Sequence, residues 1–332
     1  MSDAVLSTPR NGAWAPGRAL AAAWRAAWPV LAVVGVILAI WYAACLPMNA
    51  KEQLTQAERA GAVIVPEGAA NRRDMSPWGL MVRNAGHMGG VWSQERPRLP
   101  APQQVGQELW KTTGGMILRG RAFSNRSLIT HAWVTLSATL LGFGIGTALG
   151  VLLAIGIVHN RAMDMSVMPW AIASQTIPIL AIAPMIIVVL NSVGISGLLP
   201  KAMISAYLSF FPVVVGMVKG LRSPDAMQLD LLRTYSATPT ETLWKLRLPA
   251  SMPFFFTSLK VGIAAALVGA IVGELPTGAV AGLGARLLAG SYYGQTVQIW
   301  SALFAAAILA ALMVGLIGVI QRVVLRQMGM AR

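Results

Sequence analysis

Residues 132–158 read AWVTLSATLLGFGIGTALGVLLAIGIV, a stretch without a charged side chain. A helix of about 20 residues crosses the hydrocarbon core of a bilayer, so this stretch predicts a membrane-spanning helix. Other apolar runs in the sequence are long enough for the same role. They cover residues 28–46, 167–190, 202–218, 254–272 and 297–320. We therefore predict an all-α protein with six transmembrane helices.

The composition supports a membrane protein. Apolar residues make up 56% of the 332 positions and charged residues 11%, whereas a soluble domain has about 25% charged residues. Disorder is excluded because it needs low hydrophobicity. The net charge is +14, and the Lys and Arg residues lie between the apolar runs. Membrane topology explains this distribution, so no nucleic acid partner is expected. One cysteine and three scattered histidines predict neither a disulfide nor a metal site.

The distribution of Lys and Arg predicts the orientation. Residues 219–249 contain five, whereas residues 194–201 and 273–295 contain one each. Cytoplasmic loops are enriched in positive charge, so both termini should be cytoplasmic, where Arg10, Arg18, Arg25, Arg322, Arg326 and Arg332 lie. The predicted regions are a cytoplasmic N-terminus (1–27), a first transmembrane helix (28–46), an outward segment (47–130), a five-helix core (131–320) and a cytoplasmic C-terminus (321–332).

The outward segment has no clear helical or strand period over residues 47–98, apart from a short helix expected at 53–60. It is predicted to be an extracellular loop, with a binding surface as the alternative. The run before it is predicted to be an uncleaved anchor because it is long enough to span the membrane. A lipoprotein signal ending near Cys45 is disfavoured, since Tyr42 stands where such signals have a branched aliphatic residue.

Glycines in the second predicted span indicate helix packing. Gly142, Gly146 and Gly150 recur every four residues and share one helix face, which lets a neighbouring helix approach closely.

Several polar side chains in or near the spans are candidates for a substrate pathway. Pro178 and Pro184 should kink the third span, and backbone carbonyls freed there must face protein or a water-filled cavity. A helix bent only for packing is the alternative. Glu274 is either a functional carboxylate or a headgroup-region residue paired with Arg286, and the two tyrosines before the last span form either an aromatic belt or a stacking surface. The candidates are Gln175, Thr176, Asn191, Tyr207, Glu274, Tyr292 and Tyr293.

The cytoplasmic loop 220–250 carries two helix starts. Ser223-Pro-Asp225 combines an N-cap hydroxyl, a proline at the first position and an acid in the first turn. Thr238-Pro-Thr-Glu241 is a capping box that should begin a helix over residues 239–247, ending before Pro249. Two short capped helices predict a rigid element that can dock into a partner and transmit force.

The same loop resembles a family motif. Asp230-Leu-Leu-Arg-Thr-Tyr-Ser236, nine residues and then Leu246-Arg-Leu248-Pro249 resembles the EAA loop of ABC importer permeases, which reads Glu-Ala-Ala, three residues, Gly, nine residues, Ile-x-Leu-Pro. Asp230 replaces the Glu, two leucines replace the alanines and Ser236 replaces the Gly. If the backbone is left-handed there, serine should cost about 1 kcal/mol relative to glycine.

The resemblance extends from about Leu99 to the C-terminus and includes Leu99-Pro-Ala-Pro102, Leu248-Pro-Ala-Ser-Met-Pro253 and Gly273-Glu274. These segments resemble nitrate/sulfonate/taurine-type permeases, and importers of thiamine-precursor pyrimidines are similar. The resemblance implies a type I ABC importer permease core in the bacterial inner membrane. The coupling residues it implies are Asp230, Tyr235, Ser236, Thr238, Pro239, Glu241, Leu246, Leu248 and Pro249.

The resemblance also implies the partners. These are a second copy of the permease, a pair of ATPase subunits, a periplasmic or lipid-anchored solute-binding protein, and the membrane lipids. ATP and Mg²⁺ would be bound by the ATPase, since no lysine here follows a glycine as a GxxxxGK[ST] phosphate loop requires. The chain itself is expected to be neither an enzyme nor a cofactor-binding protein.

Two other classes compete with this interpretation. An ion-coupled secondary carrier of a small solute would need intramembrane acids and an inverted repeat, and an intramembrane enzyme would need a nucleophile or metal ligands at depth. Neither explains the doubly capped loop. The nearly uncharged membrane interior favours a neutral or weakly charged planar solute.

Overall fold

A computed structural model describes residues 16–276 and 279–330. Within these ranges the regular structure is helical and contains no strand, so the all-α class is confirmed. The chain forms two compact units, one ending at Pro102 and one beginning at Gln103. Arg10 and Arg332, which were used to predict the orientation, lie outside the described residues.

The first unit is built on one long helix. Helix α1 runs from Pro16 to Arg59, and it is followed by α2 (Pro77–Arg83) and a 3₁₀ turn (Ala85–Gly90). The prediction of a separate helix at 53–60 was wrong, because these residues continue the helix that contains the first predicted span. Residues 48–59 include Ala, Lys, Glu, Gln and Leu, which favour helix, so the helix continues past Pro47.

The segment after α1, predicted to be an extracellular loop or a binding surface, folds around its own apolar cluster. Cys45, Leu54, Leu80 and Val91 form a buried apolar cluster. The Asn49 side chain donates to two backbone carbonyls (2.8 and 3.3 Å) and accepts from a backbone N–H (3.0 Å). Bonds from side chains to the backbone, rather than a repeating apolar face, hold this segment, and they leave no period in the sequence.

The second unit contains the other long helices. Its first two helices are α3 (Pro102–Thr112), of which all but Pro102 lies in this unit, and α4 (Gly114–Leu118). The helices that follow are α5 (Leu128–His159), α6 (Arg161–Ser174), α7 (Ile179–Ser192), α8 (Leu198–Leu221), α9 (Ala226–Thr234), α10 (Pro239–Thr242), α11 (Leu248–Glu274), α12 (Leu283–Tyr292) and α13 (Thr296–Gln327). In the described residues of both units together, five helices are long and apolar enough to span a membrane, or six if the bent pair α6–α7 is one span.

The third predicted span is the one that differs from a simple helix. It is divided into α6 and α7, whose axes differ by 99°. Pro178 is the N-cap of α7 in an extended conformation (φ −63°, ψ 119°). Proline lacks the N–H that would continue α6 and disfavours helical geometry in the residue before it, so the chain breaks here. Pro184, which was also expected to kink the span, lies inside α7.

Helix α8 lies between α5 and α11 and supplies much of the core. Val213, Met217 and Leu221 of α8 are buried against Ile263 and Leu267 of α11. Along α13, in contrast, the apolar side chains of Ile308, Leu312 and Leu316 are more than half exposed, as expected for residues in contact with lipid.

The three glycines of α5 face α8. A Cβ atom at Gly142, Gly146 or Gly150 would approach atoms of α8 more closely than 3.0 Å. At Gly142 and Gly146 these atoms include backbone carbonyl oxygens, and at Gly150 they belong to the Val213 side chain. Gly144, on the same helix, has open space at the corresponding position. The glycines at four-residue spacing therefore set the distance between the two helices.

The Gly146→Ala variant should therefore be less stable, with Gly144→Ala as the matched control. The added methyl at position 146 meets the Ala206 carbonyl at 2.8 Å, and overpacking costs about 1–3 kcal/mol. At position 144 only the gain in helix propensity remains, about 1 kcal/mol. Thermal unfolding in detergent should show a lower midpoint for Gly146→Ala and an unchanged or higher one for Gly144→Ala. Equal midpoints would contradict the packing role.

Candidate functional site

The first helix of loop 220–250 is α9, and its N-cap residue is Asp225. The Asp225 backbone N–H donates to the Gln228 side chain at 3.2 Å, which is half of a capping box. The predicted start at Ser223 was two residues early. The Ser223 hydroxyl instead donates back to the Gly220 carbonyl at 2.7 Å and completes the end of α8.

The turn between the two loop helices is a Schellman motif. Ser236 N–H donates to the Arg233 carbonyl (2.9 Å) and Ala237 N–H to the Leu232 carbonyl (3.0 Å), as this motif requires. Ser236 has φ +56°, in the left-handed region. The position at which the EAA motif has glycine is therefore left-handed here too, and serine carries a steric cost that glycine avoids.

The second capping box is present as the sequence predicts. Glu241 N–H donates to the Thr238 hydroxyl (3.2 Å), and Thr238 N–H donates to the Glu241 carboxylate (2.9 Å). The other Glu241 oxygen accepts from the Lys245 ammonium at 3.0 Å. These bonds fix where the helix starts and how the chain enters it.

The helix that starts at Pro239 does not end before Pro249. Residues Leu243–Arg247 form a π turn that leads directly into α11. Pro249 has no N–H for the usual bond, and the wider π turn accommodates its ring without breaking the helix. One continuous helix therefore runs from Pro239 to Glu274.

Two contacts tie the loop to neighbouring helix ends. The Arg247 guanidinium donates to the Leu221 carbonyl at the end of α8 (2.9 Å). Arg222 pairs with Asp164 near the start of α6 at 2.9 Å. Neither contact is predictable from the sequence. No local pattern indicates that Arg247 bonds to α8, and Asp164 lies 58 positions from Arg222.

Four large apolar side chains of the loop are exposed among its polar residues. Met227, Leu231, Tyr235 and Trp244 have between 57% and 83% of their surface exposed. Other motif residues have structural roles, since Asp230 pairs with Arg233 at 2.9 Å and Leu248 packs on the main core. Leu246 and Pro249 are half-buried within the continuous helix.

Some of the candidate pathway residues lie at the break between α6 and α7. Gln175 follows the last residue of α6 and Thr176 lies exposed beside it. The Tyr207 hydroxyl of α8 donates to the Ser174 carbonyl, which the break has freed from helical bonding. This polar junction inside a predicted span is the kind of irregular backbone that is tolerated only against protein or a cavity.

Asn191 lies at the other end of α7. It lines a cavity of about 450 Å³ together with Ser196, Lys201 and residues 279–281. Tyr292 and Tyr293 lie exposed at the end of α12. The structure thus brings Gln175, Thr176 and Tyr207 together and leaves the other candidates at separate positions.

Glu274 is fully buried, with Thr135 and Gly284 as partners. The Thr135 hydroxyl donates to its carboxylate (2.9 and 3.1 Å), and so does Gly284 N–H, in the first turn of α12, at 2.7 Å. A carboxylate at a helix N-terminus is favourable because it accepts from free N–H groups. Glu274 therefore caps α12 from the end of α11. No local pattern in the sequence identifies Thr135 as its partner.

Comparison with known proteins defines the class. Residues 146–329 match the family described as "Binding-protein-dependent transport system inner membrane component". The chain is 32% identical over 186 residues to a probable ABC transporter permease protein of Haemophilus influenzae, covering 56% of this chain and 69% of that protein. It is 31% identical over 186 residues to the formylaminopyrimidine transport permease protein ThiX of Halalkalibacterium halodurans (56% and 68%). It is 29% identical over 228 residues to the riboflavin transport system permease protein RibX of Chloroflexus aurantiacus (69% and 80%).

A helical, multi-pass fold and this match together define a transporter subunit. The chain belongs to the family of binding-protein-dependent transport system inner membrane components. It is the permease of an ATP-driven importer, in which a separate subunit hydrolyses ATP and a binding protein supplies the solute. The secondary carrier and the intramembrane enzyme are therefore excluded.

Ser236→Gly should stabilise the loop, because glycine adopts the left-handed conformation without the clash of a side chain. A gain of about 1 kcal/mol corresponds to about fivefold slower hydrogen exchange of the loop amides, if they exchange by local opening. Ser236→Ala is the control, since it removes the hydroxyl and keeps the Cβ. Equal slowing in both variants would mean that backbone strain is not the cause.

Proposed function

We propose that loop 220–250 is the surface on which the ATPase docks and through which it moves the membrane helices. The observation that carries this proposal is the exposed apolar surface of Met227, Leu231, Tyr235 and Trp244 on a doubly capped element. Grouped exposed apolar residues mark interaction surfaces, and aromatic anchors contribute most of the energy at interfaces.

The proposed transmission follows from the helix that contains Trp244. A continuous helix over residues 239–274 is about 50 Å long and moves as one body if its hydrogen bonds persist. The bonds from Arg247 to α8 and from Arg222 to α6 make neighbouring helix ends follow. In this proposal ATP and Mg²⁺ bind only to the ATPase pair, whose closure displaces the loop.

The proposed assembly is a homodimer in the bacterial inner membrane with both termini cytoplasmic. Each chain offers one docking loop, so an ATPase pair needs two copies. The excess of Lys and Arg in residues 219–249 over residues 194–201 and 273–295 supports a cytoplasmic loop. The solute-binding protein, periplasmic or lipid-anchored, then delivers solute on the opposite side.

The proposed solute is a neutral or weakly charged planar heterocycle. Two relatives are named for formylaminopyrimidine and riboflavin, both of this class. The pathway we propose includes the junction of Gln175, Thr176 and Tyr207, where amide and hydroxyl groups can bond a heterocycle without a formal charge. It also includes the cavity at Asn191, which Lys201 lines as well. Tyr292 and Tyr293 are exposed and available for stacking on a planar solute.

The double variant Tyr235→Ala/Trp244→Ala should lower solute-stimulated ATP hydrolysis about 30-fold or more, because two aromatic anchors are lost at about 1 kcal/mol or more each. The measurement uses proteoliposomes that contain the permease, its ATPase and its binding protein. Excess ATPase should restore part of the activity, as expected when docking is weakened.

The matched control is Trp110→Ala/Phe123→Ala, which removes two exposed aromatic residues outside the loop. It should retain full stimulation. Equal loss in both double variants would contradict a specific docking role for the loop.

Asn191→Ala should lower solute uptake about tenfold, the value of one hydrogen bond of about 1.4 kcal/mol, and leave basal ATP hydrolysis unchanged. Ser192→Ala is the control, because the Ser192 hydroxyl donates within its own helix, to the Val189 carbonyl at 2.7 Å. Uptake assays in proteoliposomes with pyrimidine, flavin, sulfonate and nitrate solutes would identify the class. Uptake of sulfonate or nitrate alone would reject the planar heterocycle.

A further inference from the structure

A basic groove lies between α11 and α13, near the C-terminal end of α13. Its volume is about 590 Å³, and its polar wall consists of Lys260, Gln321, Arg322 and Arg326. No carboxylate lines this groove among the described residues. Three positively charged side chains therefore line one cavity.

The arrangement brings two of the cations to one glycine. The Lys260 ammonium lies 3.8 Å from the point where a Cβ of Gly318 would stand, and Arg322 Nε donates to the Gly318 carbonyl at 3.4 Å. Arg326 follows four residues after Arg322, so the two guanidinium groups lie on the same helix face, where like charges destabilise each other. An anion in the groove would remove this repulsion.

The groove also has an apolar wall. Val314, Leu325 and Met330 line it alongside the cations, and Lys260 lies within the apolar run 254–272. A ligand that fits both walls has an anionic head and an apolar tail. Basic pockets between transmembrane helices on the cytoplasmic side favour anionic lipid headgroups, and Arg is well suited to phosphate.

We infer that this groove binds an anionic phospholipid, with the phosphate between Lys260, Arg322 and Arg326 and an acyl chain along Val314 and Leu325. The inference goes beyond transport coupling. Only its assignment to the cytoplasmic leaflet depends on the proposed orientation, so binding and orientation can fail separately.

Native mass spectrometry of the detergent-purified permease tests the inference by titration with phosphatidylglycerol. Each Lys or Arg near the membrane surface contributes about a fivefold change in affinity, so Lys260→Gln/Arg322→Gln/Arg326→Gln should bind phosphatidylglycerol about 100-fold more weakly. Arg119→Gln/Arg121→Gln/Arg126→Gln removes three exposed charges elsewhere and should bind it as the unmodified protein does.

Gly318→Leu provides a second test that leaves the charge unchanged. No atom lies within 3.7 Å of a Cβ at this position, so the backbone tolerates the substitution while the larger side chain fills the groove, and lipid binding should fall. Phosphatidylcholine with the same acyl chains should be lost at lower collision energy than phosphatidylglycerol. Equal retention of the two lipids, equal binding by the two triple variants, or displacement by millimolar inorganic phosphate would overturn the assignment.

Discussion

The close approach of backbones on both sides of α8 is the constraint on which the permease core depends. On one side the glycines of α5 leave no room for a Cβ atom. On the other side Gly216 and Gly220 of α8 face Ser258 and Ser251 of α11, again within contact distance. Helices in a membrane gain little from hydrophobic burial against each other, so van der Waals contact of this kind must hold them together. Because α8 is closely packed on two faces, it cannot move without α5 and α11.

This close packing explains how a displacement of loop 220–250 can reach the other end of the helix bundle. The helix over residues 239–274 ends at Glu274, whose carboxylate is held by Thr135 of α5 and by the first turn of α12. A Cβ at Gly282 would collide with that carboxylate, so the chain before α12 is fitted closely around it. In the proposed coupling, movement of α11 at the loop therefore also displaces the start of α12. Glu274 thus links the end of α11 to α5 and to the first turn of α12 through hydrogen bonds.

The sequence predicts what depends on composition and local bonding, and it misses what depends on distant partners. The long apolar helices, the capping box at Thr238 and the glycine face of α5 follow from patterns of neighbouring residues. The partner of Glu274 at position 135, the ion pair from Asp164 to Arg222 and the fold of residues 60–102 depend on contacts between remote positions, which leave no local pattern. The break at Pro178 lies between these cases, because proline predicts a kink but its 99° angle depends on how α7 packs.

Loop 220–250 also carries exposed charged side chains. Its cations are largely partnered within the chain, since Arg233 pairs with Asp230, Lys245 with Glu241 and Arg222 with Asp164. Exposed pairs of this kind contribute little to affinity, and they reduce the net field that a partner meets. The proposed docking energy must then come from the apolar side chains between them. The charge of the loop predicts a cytoplasmic position, and its exposed apolar side chains form the proposed docking surface.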